Sequence, residues 1–175
     1  MDTTISSARA ALDEDTLRRA RQVFQWVRAG ELAALQPLLD QGLPANLRNE
    51  SGDSLLMLAC YHGHAELARA LLRAGADPEL ANDRGQTPLA AAAFKGYLDV
   101  VRALLDGGAQ VDGHGDDGRT ALITAAMFNR VDVLALLAER GADLRHRDAS
   151  GLNAREAAQR MGAEDAVQWL RSRAG

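Results

Sequence analysis

With 175 residues, the chain is long enough for one ordinary domain or one short array of repeats. Hydrophobic residues make up 47% of it but aromatic residues only 4%, so its apolar content is mostly small and aliphatic, which suits closely packed helices. The formal net charge of −4 disfavours nucleic acids and anionic membranes as partners, because both recruit basic surfaces, and the single cysteine, Cys60, excludes a disulfide framework.

The N-terminal region begins with residues 1–12, which we predict to be flexible, because chain ends are often poorly ordered. These residues lack the apolar stretch of a signal peptide, and no run of 18 apolar residues occurs anywhere, so we expect a cytoplasmic protein without a membrane span. The preference for arginine over lysine indicates a bacterial source. Residues 17–30 predict an amphipathic helix whose buried side carries Leu17, Val23, Phe24, Trp26 and Val27.

Beyond this helix, three interleaved series of turn residues repeat every 33 positions, an interval that we call the repeat period. A period of this length indicates a repeat architecture. Two of the series follow helical stretches and predict helix ends with positive φ, which glycine adopts without strain and asparagine tolerates better than most residues. The series are Gly42, Gly75, Gly108 and Gly141; Gly30, Gly63, Gly96, Asn129 and Gly162; and, in turns, Gly52, Gly85, Gly118 and Gly151.

Each repeat is predicted to hold two short helices. The first begins after an N-cap residue whose side chain satisfies a free backbone amide, namely Ser54, Thr87, Thr120 or Asn153. In the second helix, apolar residues recur at steps of three and four, and one leucine returns once in every repeat period. We expect these leucines to stack into one continuous core ridge, formed by Leu38, Leu71, Leu104, Leu137 and Leu170.

The segment TPLAAAAFKGYLDVVRALLDGGAQVD, residues 87–112, resembles the ankyrin repeat. The resemblance runs from about Leu17 to the C-terminus and implies an all-α ankyrin-repeat solenoid of stacked antiparallel helix pairs. It also implies projecting β-hairpin loops, here called fingers. About five repeats, two of them caps, are predicted within an ankyrin-repeat domain of residues 13–175, at about 16–48, 49–81, 82–114, 115–147 and 148–175. The last repeat places Arg155 and Gln159 where inner repeats have apolar residues, as an exposed stack end requires.

Residues capable of chemistry are few and do not form a recognisable motif. The chain has neither a Cys-x-x-Cys pair nor a His-Glu-x-x-His motif, so we expect no metal and no cofactor. In the ankyrin family a histidine placed like His64 has a structural role. Cys60 is expected to be buried and inert, and no acid–base groups converge on a pocket, so we predict that the protein is not an enzyme.

The glycine-rich segment Gly107–Arg119 could be mistaken for a phosphate loop or a calcium loop. It lacks the Gly-Lys-Ser/Thr ending of a phosphate loop, and its aspartates would repel phosphate. A calcium loop would need a closing glutamate, which is missing. We therefore interpret the segment as a finger whose solvated acidic tip contains Asp112, Asp116 and Asp117.

The candidate partner-binding residues lie near the ends of consecutive first helices. Three of them recur at the repeat period, and in ankyrin proteins the exposed side of the first helix faces the concave surface. Apolar residues in register on a surface favour an interaction site, although they could instead fill the gap between neighbouring first helices. We call this set the strip; it comprises Tyr61, Phe94 and Met127, with His62, Lys95 and Phe128 beside them.

The fingers supply a second set of candidates, a charged rim around the strip. We expect these charges to adjust specificity and association rate. The predicted function is a small adaptor or regulator, monomeric by itself, that binds another protein; the alternatives are a self-associating structural element and, less favoured, an enzyme. The rim comprises Arg48, Glu50, Asp53, Asp83, Arg84, Asp116, Asp117 and Arg119.

Overall fold

A computed structural model describes the backbone of residues 2–173 and the side chains of residues 14–173. Within these limits the chain forms ten helices, which follow one another as five pairs. They are α1 (Asp2–Ala29), α2 (Leu32–Asp40), α3 (Leu55–His62), α4 (Ala65–Arg73), α5 (Pro88–Lys95), α6 (Leu98–Asp106), α7 (Ala121–Met127), α8 (Val131–Glu139), α9 (Ala154–Met161) and α10 (Glu164–Arg171). The side chains of the segment predicted to be flexible, residues 1–12, lie outside the described residues.

The helix pairs stack in two layers. The first helices of the pairs contact one another in chain order, from α1 through α3, α5 and α7 to α9. The second helices do the same, from α2 through α4, α6 and α8 to α10. This arrangement confirms the predicted all-α solenoid of stacked helix pairs. No helix within residues 2–173 combines the length and the hydropathy needed to cross a bilayer.

The predicted N-caps fix where the first helices begin. The Ser54 hydroxyl accepts a hydrogen bond from the Met57 amide at 3.0 Å, and the two threonine caps make the equivalent bond in α5 and α7. Asn153 caps α9 and completes a capping box with Glu156. Because the caps recur at the same place, α3, α5, α7 and α9 start in register.

The predicted leucine ridge forms the centre of the second-helix layer, except at one end. Leu71, Leu104 and Leu137 are fully buried, and Leu170 is almost so. Leu38 is only half-buried, contrary to the prediction. The difference follows if each ridge leucine packs against the preceding repeat, because α2 has no preceding second helix whereas α10 has α8.

The prediction for α1 was also wrong at one residue. Val23 and Val27 are buried as expected, but Leu17 is 56% exposed. By the repeat period, α3 lies opposite residues 22–29 of α1. Leu17 therefore extends beyond the end of the neighbouring helix and lines an open cavity beside the first finger instead.

The fingers consist mostly of turns rather than regular strands. Among the described residues one isolated antiparallel bridge occurs, between Arg48 and Ser54. The third finger approaches the second so closely that a Cβ atom at Gly115 would overlap with the carbonyl oxygen of Gly85. Glycine is therefore required at this position by packing between adjacent repeats.

Candidate partner-binding surface

The strip is positioned by the common start and common end of the first helices. Gly63 and Gly96 end α3 and α5 with φ of 85° and 78°, and Asn129 follows α7 with φ of 57°. As predicted, asparagine replaces glycine in the left-handed conformation. The spacing between the N-cap and the positive-φ residue is the same in the three repeats, so the ends of the first helices lie side by side, and the strip residues lie at those ends.

Three aromatic rings form the continuous part of the strip. The ring centroids of Tyr61 and Phe94 lie 6.4 Å apart with the planes nearly parallel, at 15°. Phe94 and Phe128 are in edge-to-face contact, with centroids 4.5 Å apart at 89°. Both geometries are favourable for aromatic pairs. Tyr61 is 40% exposed and Phe128 is 38% exposed, so the outer two rings are accessible to a partner.

Met127 differs from the aromatic members of the strip. It is half-buried and packs against the hydrophobic core, whereas Phe128, one residue later, carries the exposed ring contact. The sequence pattern allowed either an interaction site or packing between neighbouring first helices, and each interpretation fits different residues. Met127 contributes to packing between helices, and Tyr61 and Phe128 form the accessible surface.

A lysine and a histidine accompany the first ring, Tyr61. The Lys95 ammonium lies 4.9 Å from the centroid of the Tyr61 ring, a cation–π geometry. The His62 ring meets the Tyr61 ring edge-on at a centroid distance of 5.4 Å. Partial burial lowers the pKa of His62 below its ordinary value, and the positive charges of His64, Arg28 and Lys95 lower this pKa further. His62 therefore favours its neutral form.

A cavity of about 280 Å³ lies between the strip and the second and third fingers. We call it the central groove. Apolar side chains of α5 and α7 line one side, and polar finger residues line the other. Its lining includes Tyr61, Phe94, Met127, Phe128, Arg84, Gln86, Asp117 and Arg119.

Several residues of the predicted rim hold adjacent fingers together. The Arg48 guanidinium donates to the carbonyl oxygen of Ala81 at 3.1 Å and pairs with the Asp83 carboxylate at 3.2 Å. Asp53 accepts a hydrogen bond from the side-chain amide of Asn82 at 2.8 Å. These contacts join residues about one repeat apart, so Arg48, Asp53 and Asp83 stabilise the stack whatever else they bind.

The remaining rim residues have different environments. Glu50, Arg84 and Asp116 are exposed at the finger tips. Asp117 accepts a hydrogen bond from the Arg119 amide at 2.9 Å, which closes the turn of the third finger. The Arg119 side chain forms part of the central groove wall and is 39% exposed.

Sequence reasoning missed a ladder of hydrogen bonds at the bases of the fingers. Side-chain oxygens of Asn46, Glu79 and Asp112, which recur at the repeat period, each accept from a backbone amide of the next repeat at 2.8–3.1 Å. Asp112 is therefore a structural acceptor rather than part of a solvated tip. The following residue of this series is Arg145, which cannot accept a hydrogen bond, so the ladder ends at the last repeat. The spacing could have revealed the series, but not its partners.

A second set of contacts joins helix turns of neighbouring repeats at two positions of one periodic series, His64 and Arg130. His64 donates from Nε2 to the carbonyl oxygen of Arg28 at 2.8 Å, in agreement with its expected structural role. Arg130, two repeat periods later, donates to the carbonyl of Phe94 at 3.1 Å. In the last repeat the equivalent residue is Ala163, and the Asn129 side chain accepts from the Ala166 amide at 2.8 Å instead.

Within residues 14–173 the groups that could perform chemistry do not converge on one site. Cys60 is fully buried, and burial raises the pKa of its thiol strongly, so the reactive thiolate is disfavoured. His114 and His146 lie with ring centroids 5.2 Å apart, each with one ring nitrogen bound to a backbone carbonyl. Within residues 14–173 no three histidine, cysteine, aspartate or glutamate side chains form a group suited to a metal ion.

Comparison with known proteins agrees with this geometry. A family model described as ankyrin repeats in three copies matches residues 23–114 and 107–175. The chain belongs to the ankyrin-repeat family. Ankyrin repeats are generally protein–protein interaction modules, and the family is typically non-enzymatic.

A bacterial relative shares part of the array. Over 63 residues the chain is 54% identical to a Pseudomonas aeruginosa protein that is named after its ankyrin repeats. The match covers 36% of this chain and 37% of the relative, so it extends over little more than a third of either protein. The organism agrees with the expected bacterial source.

Proposed function

We propose that this protein is a small adaptor or regulator that binds another protein through the strip and the surrounding fingers, without catalysis of its own. The observation that carries the proposal is the row of rings Tyr61, Phe94 and Phe128, which crosses three consecutive repeats with its two outer members exposed. A few residues, among which tryptophan, tyrosine and arginine are over-represented, carry most of the binding free energy of a protein interface.

The fingers support this proposal by their charge. Glu50, Arg84 and Asp116 are exposed and lie at finger tips, where a partner in contact with the strip would meet them. Charged groups at the edge of an interface mainly change the association rate and its salt dependence. We therefore assign them to partner selection and the rings to affinity.

Affinity capture with matched variants tests the proposal. The full chain is immobilised and exposed to a lysate of the source organism, in parallel with Tyr61→Ser/Phe128→Ser and with Leu17→Ser as control. Leu17, at 56%, is more exposed than Tyr61 or Phe128, but it lies on α1, outside the strip. We expect the control to retain the proteins that the wild type captures and the double variant to lose them, with unchanged circular dichroism for all three.

Two results would contradict the proposal. If the folded double variant captures the same proteins as the wild type, the binding surface lies elsewhere on the solenoid. If light scattering shows a concentration-dependent oligomer that the double variant abolishes, the strip binds a second copy of the chain, and the protein is a self-associating structural element.

A further inference from the structure

Arg119 has an unusual position in the wall of the central groove. Its Nε atom is buried, and among residues 14–173 it is the only buried side-chain nitrogen or oxygen without a hydrogen-bond partner. The nearest carboxylate oxygen, Oδ2 of Asp117, lies 3.8 Å from Nη1, which is beyond hydrogen-bond length. The Nε atom is too buried to meet a ligand in the groove, but the side chain as a whole is 39% exposed, and within residues 14–173 neither Nη atom makes a hydrogen bond. The Nη donors are therefore available to a ligand.

The repeat pattern shows what Arg119 has replaced. The equivalent residues of the first two fingers are Asp53 and Gln86, whose side-chain oxygens accept hydrogen bonds from Asn82 at 2.8 and 3.3 Å. The third finger has Gly115 in place of the asparagine, so that donor is missing. At the third finger a donor thus stands where the first two have an acceptor, and no neighbouring repeat satisfies its Nε atom.

We propose that Arg119 binds a side-chain carboxylate on an apolar peptide segment of the protein partner, held in the central groove. The inference rests on the proposed function and specifies the chemistry of the partner. The planar guanidinium matches a carboxylate with two parallel hydrogen bonds, and Phe94, Met127 and Phe128 on the opposite wall accept apolar side chains.

The charges of the groove favour an anionic segment although the whole chain is acidic. Arg84 and Arg119 line the groove together with a single carboxylate, Asp117, and Lys95 stands beside it over the Tyr61 ring. Among the residues that line the groove the balance is therefore one net positive charge. Partial exclusion of water by the apolar wall strengthens the attraction between opposite charges.

The surface extends beyond the groove in both directions along the repeats. Tyr61 on α3 is exposed on one side, and Met161 on α9, 51% exposed, follows Phe128 by one repeat period on the other. A bound segment can thus continue on both sides of Arg119. We therefore assign the carboxylate to an aspartate or glutamate within the segment rather than to a chain end.

Peptide selection followed by a double-mutant cycle tests the proposal. Random peptides displayed on phage are selected on the full-length chain, and the best binder is synthesised with its acidic residue intact or changed to the amide. Both peptides are titrated against the wild type, Arg119→Gln, Arg119→Lys and, as control, Arg102→Gln, whose arginine is exposed on α6.

We expect the selected peptides to carry aspartate or glutamate between apolar residues. Arg119→Gln should weaken binding of the acidic peptide by about 10- to 100-fold, the range for hydrogen bonds to charged groups. Arg119→Lys should weaken it less, because lysine keeps the positive charge but lacks the planar guanidinium that donates two parallel hydrogen bonds. The amide peptide should bind the wild type as weakly as the acidic peptide binds Arg119→Gln, and Arg102→Gln should change nothing.

Other outcomes overturn the proposal, and they show whether the role of Arg119 fails alone or the proposed function fails with it. If Tyr61→Ser/Phe128→Ser abolishes binding but Arg119→Gln does not, the strip binds partners and the role of Arg119 is refuted. If binding survives in both variants, the proposed function fails as well. Loss of binding on C-terminal amidation of the peptide would identify a chain end as the carboxylate, and an Arg119-dependent dimer in light scattering would identify a second copy.

Discussion

The leucine ridge and the strip share the same repeat period, yet one is buried and the other is accessible. Leu71, Leu104 and Leu137 are 0% exposed on the second helices, whereas Tyr61 and Phe128 are 40% and 38% exposed near the ends of first helices. Hydrophobic periodicity alone therefore does not distinguish core from surface in this solenoid. Position along the helix does not decide, because the ridge leucines also lie in the last turns of their helices. What differs is the side of the helix: the leucines face the rest of the stack, whereas Tyr61 and Phe128 face away from it.

The comparison also shows where a substitution should change stability and where it should change binding. In a repeat array, stability arises from each repeat and from the contacts between neighbours. The buried ridge contributes to those contacts, so truncation of its residues should lower stability. The exposed rings contribute little to the stack and are available for a partner.

The largest effect is expected in the ridge. Leu104→Ala removes a fully buried side chain from the central repeat and should lower the free energy of unfolding by about 2–5 kcal/mol. Arg102→Ala, two residues earlier on the exposed side of α6, should change it by no more than about 0.5 kcal/mol. Urea unfolding followed by circular dichroism measures both, and equal effects would show that the ridge is assigned to the wrong residues.

The next effect separates the two kinds of strip residue. Met127→Ser should destabilise by about 1–2 kcal/mol, because the half-buried side chain packs against the core. Tyr61→Ser should cost less than about 1 kcal/mol, since the ring is accessible and its contacts with Phe94, His62 and Lys95 are with partly exposed side chains. The same unfolding experiment applies. A larger loss for Tyr61→Ser would indicate that the strip serves packing rather than binding.

The smallest effect concerns the protonation of His62. Because the pKa of His62 is lowered in the folded state, stability attributable to this group is complete above the unfolded pKa of about 6.5 and falls as the pH drops towards the folded pKa. NMR titration should give a midpoint below about 6.5 for His62. Lys95→Gln should raise this midpoint, because one of the nearby positive charges is removed. An unchanged midpoint would show that Lys95 does not influence the strip electrostatically.

Much of the fold follows from local patterns in the sequence. The N-caps, the positive-φ turns and the apolar steps of three and four residues depend on a few adjacent residues, and they predicted the helix pairs and their stacking. The misplaced residues, Leu17 and Leu38, lie at the N-terminal end of the stack. There the periodic pattern continues, but the neighbour that would cover these side chains is missing.

The candidate surface was only partly predictable. The spacing indicated Tyr61, Phe94 and Met127, but it could not show that Phe128 makes the ring contact while Met127 packs inward. Likewise, the sequence supplied the charges of the fingers, but it did not show that Arg48 and Asp53 bind adjacent fingers. Nor did it show that the Nε atom of Arg119 has no hydrogen-bond partner within residues 14–173.

By itself, the sequence determined the repeat period, the helix limits set by caps and glycines, and the ridge of the inner repeats. The tertiary structure alone decided which polar residues form hydrogen bonds between repeats and which aromatic rings remain exposed. It also decided that the guanidinium donors of Arg119 are not used within the stack, among residues 14–173. The physical reason is that these properties arise from side chains that are about one repeat apart in the chain. Such side chains meet only when two repeats stack. Only then is it decided that Phe128 rather than Met127 contacts Phe94, and that Arg119 stands where the first two fingers have a hydrogen-bond acceptor.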